Sequence, residues 1–268
     1  MEQAINFLNI LLPVAYMGCL ALYVYCFLHS EPAANKAARY TLWGSLALHL
    51  VFLVLIGVHY SRPPMANLFE AMSFLAFTVG VVYAYLEWRV KEESGGLFIV
   101  IFVLLFQIFS TAYVDHTKNV SEVLSTRSMA FHIGMSLFGI SALAISALFS
   151  GMYLMLYNNI KNHRFGLLYE RLPSLDRLVN LGYHGAFFGF VLLTLGMISG
   201  VVQAIIKTPT GSDQYIKVLL VVITWAIYGA LVFFKVFRKW QGPRIAYFSL
   251  IGFITTILAL FVSFHLFR

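Results

Sequence analysis

The sequence predicts an all-α, polytopic transmembrane bundle of about eight helices. Three observations carry that expectation. The chain of 268 residues is 60% hydrophobic and 11% charged, whereas a soluble domain carries about 25% charged residues. Its mean hydropathy is +0.83. Its apolar runs repeatedly reach the roughly 20 residues that a hydrocarbon crossing needs. Together these exclude an ordinary soluble core and favour one integral membrane domain over residues 1–268.

The expected crossings are 5–28, 40–60, 66–87, 96–114, 128–157, 179–206, 214–238 and 243–267. The first holds both cysteines, Cys19 and Cys26, near one helical face; they form no CxxC and read as small apolar residues. Glu2 stands where a cleaved signal would be basic, and the apolar run is full length, so the start reads as a crossing. Two prolines, Pro63 and Pro64, end the linker before the third crossing. Asn67 and Glu70 then fall on one face, where Glu70 would cap the helix, pair with Arg62 or orient a ligand histidine. The fourth run is the weakest, ambiguous from Thr111 to Asp115. The fifth and sixth are long enough to tilt or project beyond the hydrocarbon.

Small residues mark two runs. Ser136, Gly139, Ser141, Ala144 and Ser146 lie in the fifth, and Gly185, Gly189, Gly196 and Gly200 form small-xxx-small faces in the sixth. Close helix packing is the default reading, with room for a flat cofactor as the alternative. The linker 158–178 suggests a short amphipathic element that Pro173 begins or interrupts, its arginines facing anionic headgroups or a protein partner. The polar linker near 115–127 would cover the outer histidines.

The formal charge of +7 sits in short linkers. The linkers after crossings one, three, five and seven carry twelve Lys and Arg, the opposite side six. The positive-inside tendency therefore places both termini outside. This is topology charge, and nucleic acid is not an expected partner.

Several histidines fall inside or at the ends of these runs. His132 and His265 lie near the outer face, with His59 at the outer end of the second crossing. His49 is ten residues before His59, about 15 Å deeper at 1.5 Å per residue. It could share an inner-half layer with His184, while His29 and His163 sit at or beyond the inner face. Two imidazoles at one depth can supply both axial ligands of a haem. Each could instead be a hydrogen-bonded core, interfacial or proton-handling residue. No HExxH, carboxylate cluster or nucleophile elbow points to hydrolysis, and no catalytic residue is assigned.

The stretches PMANLFEAMSFLAF, RSMAFHIGMSLFGISALAISALFSGMYLM, LPSLDRLVNLGYHGAFFGFVLLTLGMISG and VITWAIYGALVFFKVFRKWQGPRIAYFSLIGF resemble, in that order, the cytochrome c assembly superfamily. Its members include CcsA-type haem-handling proteins and smaller HemX-like relatives. The resemblance implies non-covalent haem b. His132 in AFHIGMS would be the first outer ligand and His265 in VSFHLF the second, without the usual following serine-tyrosine. His49 and His184 would form a deeper site, with Arg62 and Arg127 as outer propionate partners. The tryptophan-rich segment expected before VITWAIYG is absent; IIKTPTGSDQYIKVLL stands there. The expectation is therefore a HemX-like haem-handling or haem-transport protein of a bacterial cytoplasmic membrane, not a complete cytochrome c synthase. Its partners would be haem, the bilayer and a cytochrome c maturation or tetrapyrrole-synthesis protein. A haem-lyase component and a non-haem transporter or scaffold are the alternatives.

Overall fold

A computed structural model describes residues 1–29, 31–65, 67–90, 95–113, 127–206 and 213–265. Among these, the chain forms nine helices and no strand: α1 (Glu2–His29), α2 (Pro32–His59), α3 (Leu68–Val90), α4 (Gly96–Tyr113), α5 (Arg127–Lys161), α6 (Leu167–Arg171), α7 (Leu175–Ile206), α8 (Asp213–Phe237) and α9 (Pro243–His265). Seven are long and apolar enough to cross a membrane, and α4 supplies a shorter apolar helix. The protein is an all-helical, polytopic integral membrane protein. The expected cover from 115 to 126 lies outside the described residues.

The helices match the eight expected crossings, with shifted ends. The 18 residues of α4 give about 27 Å, just short of the ~30 Å hydrocarbon. The 35 residues of α5 give about 52 Å, so this helix must tilt or project. The surface element near Pro173 is α6, and Pro173 separates it from α7. Because α7 starts at Leu175 instead of 179, His184 lies a turn further from the helix start than the sequence reading placed it.

The chain divides into two compact units, Met1–Leu137 and Phe138–Arg268. In the first, α1 packs against α2 and α4, and α3 packs against the same two, closing a four-helix ring. Its apolar core includes Leu12, Leu42, Ile56, Val79 and Ile99. Exposed Phe7, Ile10, Leu50 and Val54 face outward, as a lipid-bathed surface requires.

In the second unit, small residues bring α5 and α7 together. A Cβ on Gly185 would stand 3.0 Å from both the Ala142 carbonyl oxygen and the Ser146 amide nitrogen. The packing reading of the small-xxx-small face holds there. Ser146 Oγ donates to the Gly182 carbonyl at 2.6 Å. Its single proton being used, it accepts from Ser249 Oγ at 2.7 Å, tying in α9. Trp225 Nε1 donates to Thr194 Oγ1 at 2.9 Å, joining α8 to α7. Tyr228 donates to the Ser249 carbonyl at 3.0 Å, joining α8 to α9. The basic turn between α8 and α9 is held by Trp240 stacked on Phe234, with ring centroids 4.4 Å apart.

Gly185→Val should lower the thermal midpoint of the detergent-solubilised protein by several degrees, because overpacking a tight contact costs about 1–3 kcal/mol. Temperature-dependent size-exclusion elution measures it, and an unchanged midpoint would contradict so close an approach of α5 and α7.

Candidate functional site

Helix α3 organises the polar interior of the first unit. Glu70, Ser73 and Glu87 are all buried along it, although carboxylates in a bilayer interior persist only with partners. At the start of α3, Asn67 Oδ1 accepts the Glu70 amide proton at 2.8 Å, an N-cap bond. The Glu70 carboxylate accepts from Arg62 Nη1 and Nη2, at 2.6 and 2.8 Å. The pair is nearly dry, with side chains 9% and 1% exposed. Of the three roles open to Glu70 in the sequence, pairing with Arg62 is realised, and the Asn67 side chain supplies a cap bond.

At the other end of α3, Tyr23 Oη donates towards both oxygens of Glu87, at 2.9 and 3.0 Å. Arg39 approaches the same carboxylate, with Nε 3.8 Å from Oε2. This buried carboxylate has no counterpart among the expected site residues. Its sequence signal was a glutamate within an apolar run, 17 residues after Glu70.

Between these ends lies His49, fully buried. Its Nε2 is 2.9 Å from Ser73 Oγ, and its Nδ1 is 3.0 Å from Tyr16 Oη. Donor counting fixes the directions. Ser73 gives its proton to Gln107 Oε1 at 3.0 Å, so it must accept from His49 Nε2–H. Nδ1 then accepts from the Tyr16 hydroxyl. The chain continues from Gln107 Nε2 to Thr111 Oγ1 at 3.2 Å, and from Thr111 to the Asn9 carbonyl at 3.0 Å. Phe52 and Phe77 pack around the imidazole. As placed, both ring nitrogens are engaged by protein groups. An iron atom at His49 would have to displace Tyr16 or Ser73, so this donor set fits a hydrogen-bonded core histidine better than an axial ligand.

His184 has the opposite character. It is exposed within α7, and its Nδ1 lies 2.7 Å from the Asn180 carbonyl. A carbonyl can only accept, so Nδ1 carries the proton and Nε2 keeps its lone pair. A hydrogen-bonded Nδ1–H and an available Nε2 are what a metal-binding imidazole needs. His29 makes the same bond to the Tyr25 carbonyl at 3.2 Å, so helix geometry alone produces it. The difference is position: His29 ends α1, whereas His184 sits inside a long apolar helix.

His132 lies in the first turns of α5, half-buried, and belongs to the first unit. His265 is the last residue of α9, in the second unit, with its side chain outside the described residues. Arg127 opens α5, its side chain likewise outside them. Arg62, the other expected propionate partner, is committed to Glu70. His49 belongs to the first unit and His184 to the second. Among the described residues, no three His, Cys, Asp or Glu side chains gather as a metal cluster.

These features define a polytopic membrane protein with buried, internally paired polar groups and membrane-level histidines of two kinds, one enclosed and one presenting a donor nitrogen. Residues 65–267 match the family described as Cytochrome C assembly protein, and the chain belongs to that family. It is 27% identical to the cytochrome c biogenesis protein CcsA of Guillardia theta, over 82% of this chain and 80% of that protein. It is 29% identical to protein HemX of Brevibacillus brevis, over 80% and 79%. It is also 24% identical to the inner membrane protein YpjD of Escherichia coli strain K12, over 93% and 94%.

The buried ion pair gives a direct test. Arg62→Met strands a buried carboxylate and should destabilise the protein by about 3–5 kcal/mol, while Arg62→Met with Glu70→Leu should recover most of that loss. Denaturation of both variants in detergent checks it, and equal losses would show that the two side chains do not act as a pair.

Proposed function

We propose that this protein binds haem non-covalently, as haem b, and handles or transports it within the membrane in connection with cytochrome c biogenesis. The observation that carries the reading is the family match, whose span takes in His132, His184 and His265. The histidine chemistry supports it. An imidazole with an available nitrogen in an apolar helix is costly without a partner, and His184 is such a group. His132 and His265 are the outer residues proposed as iron ligands, and His184 is the deeper one. His49 remains in the proposed set only as a ligand that would have to exchange its bonds to Tyr16 and Ser73. Arg127 is the proposed propionate partner; Arg62 would serve by sharing its guanidinium between Glu70 and a propionate.

When bound, haem would supply an iron centre for axial ligation. This chain's own residues would hold it, set the imidazole tautomer through the Asn180 carbonyl, and keep water away with apolar helix faces. The proposed location is a bacterial cytoplasmic membrane, supported by the E. coli relative's name. The proposed partners are a cytochrome c maturation protein or an enzyme of tetrapyrrole synthesis.

A second reading, a component of a cytochrome c haem lyase, is favoured by the similarity to CcsA. The connector without tryptophan argues against complete synthase activity by this chain alone. Purified protein given haem and a reduced CXXCH acceptor should form no covalent cytochrome.

Protein purified gently from haem-replete membranes should carry near-stoichiometric haem by pyridine haemochrome, with bis-histidine bands. His132→Ala and His265→Ala should each change the spectrum or the stoichiometry. His49→Ala should act mainly on stability. Protein that is haem-free and takes up no added haem would overturn the reading, and unchanged spectra in both outer variants would remove the outer assignment.

A further inference from the structure

The second unit contains a half-open cavity of about 500 Å3 at the ends of its helices, lined in part by Tyr153, Asp176, Asn180, Lys235, Gln241 and Gly242. None of the described histidine side chains lines it. Asp176 lies in the first turn of α7 and Lys235 in the last turn of α8. Gln241 and Gly242 belong to the basic turn before α9. The cavity therefore sits where apolar helices give way to a linker, the level at which headgroups begin.

Four properties point to a ligand. Tyr153 is only 4% exposed as a residue and lines the cavity. A tyrosine hydroxyl at a cavity wall can both donate to and accept from a ligand. Lys235 and Asp176 both line the cavity, and among the described residues no ion pair joins them; the Lys235 ammonium lies over the Tyr183 ring, 5.7 Å from its centroid. Two opposite charges held apart in one cavity complement a ligand carrying both signs. The amides of Asn180 and Gln241 can each donate and accept. Gly242 keeps the hydroxyl clear: its φ is +67°, and a Cβ there would stand 3.0 Å from Tyr153 Oη.

We propose that this cavity binds a phosphoethanolamine group. The phosphate oxygens accept from the Lys235 ammonium and the Tyr153 hydroxyl, as charge-assisted hydrogen bonds. The primary ammonium donates to Asp176, and the two amides take the remaining groups. Such a ligand is a phospholipid headgroup or a soluble phosphodiester of the same chemistry. Phe233, Val236 and Phe237 on α8 are exposed around Lys235 and supply an apolar surface for acyl chains.

The test is native mass spectrometry of the delipidated full chain in detergent, titrated separately with phosphatidylethanolamine, phosphatidylglycerol and glycerophosphoethanolamine. Phosphatidylethanolamine should give one saturable adduct. Lys235→Gln and Tyr153→Phe should each weaken it about tenfold, the loss of one charge-assisted hydrogen bond. Asp176→Asn should erase the preference over phosphatidylglycerol, and Arg164→Gln, an exposed cation elsewhere, should change nothing. Tyr153→Phe removes one oxygen and keeps the ring, so it serves if Lys235→Gln fails to fold. Competition by glycerophosphoethanolamine assigns a soluble ligand, and its failure to compete assigns the lipid. Absence of a saturable adduct with either ethanolamine compound, or equal affinity in wild type and Tyr153→Phe, would overturn the proposal.

Discussion

Hydrocarbon offers no hydrogen bonds, and that single constraint orders the rest of this protein. Every backbone group must be paired within its own segment, which leaves helices as the available form for these apolar runs. Polar side chains inside the bundle must also find partners within it. The first unit meets this requirement along α3, where Glu70 is matched to Arg62, Ser73 to His49 and Gln107, and Glu87 to Tyr23 and Arg39. Each bond joins another helix or a linker to α3, so the polar groups fix the rotation of α1, α2 and α4 about it. Apolar contacts alone would leave that rotation poorly specified.

The second unit solves the same problem with less charge. Its helices approach through Gly185 and Gly139, and its buried hydroxyls bond mostly to carbonyls or to one another. Hydroxyls can bond a helix carbonyl even before helices associate, so they cost less in an apolar medium than ions do. Lys235 and Asp176 stand apart from this economy, because they are charged and line a cavity, and among the described residues no ion pair joins them.

The histidines divide along the same line. His49 is absorbed into a hydrogen-bonded chain reaching from Tyr16 to Asn9, and its tautomer follows from the single proton of Ser73. His184 has its Nδ1 proton on the Asn180 carbonyl and presents its other nitrogen outward. Depth along a helix, which the sequence supplies, puts these two residues in one class. The rotational position of each side chain puts them in two. The proposed haem-handling role would therefore draw unequally on His49 and His184, which spacing alone ranks together.

Length, hydropathy and the order of degenerate motifs were enough, read from the sequence, for the all-helical membrane class, for the eight apolar helices, seven of them long enough to cross, and for the family. These are properties of single segments, fixed by backbone satisfaction in lipid. The short α6 was foreshadowed by Pro173, and the close α5–α7 approach by the glycine spacing. The Arg62–Glu70 pair was one of several options that a separation of eight residues allowed. Tertiary structure alone decided that Asn67 would take the cap, that Tyr16 and Ser73 would enclose His49, that Tyr23 would reach Glu87 across 64 residues, and that Lys235 and Asp176 would share a cavity. Those outcomes depend on which faces of different helices meet, and a one-dimensional pattern of apolar residues does not specify that rotation when nearly every face is apolar.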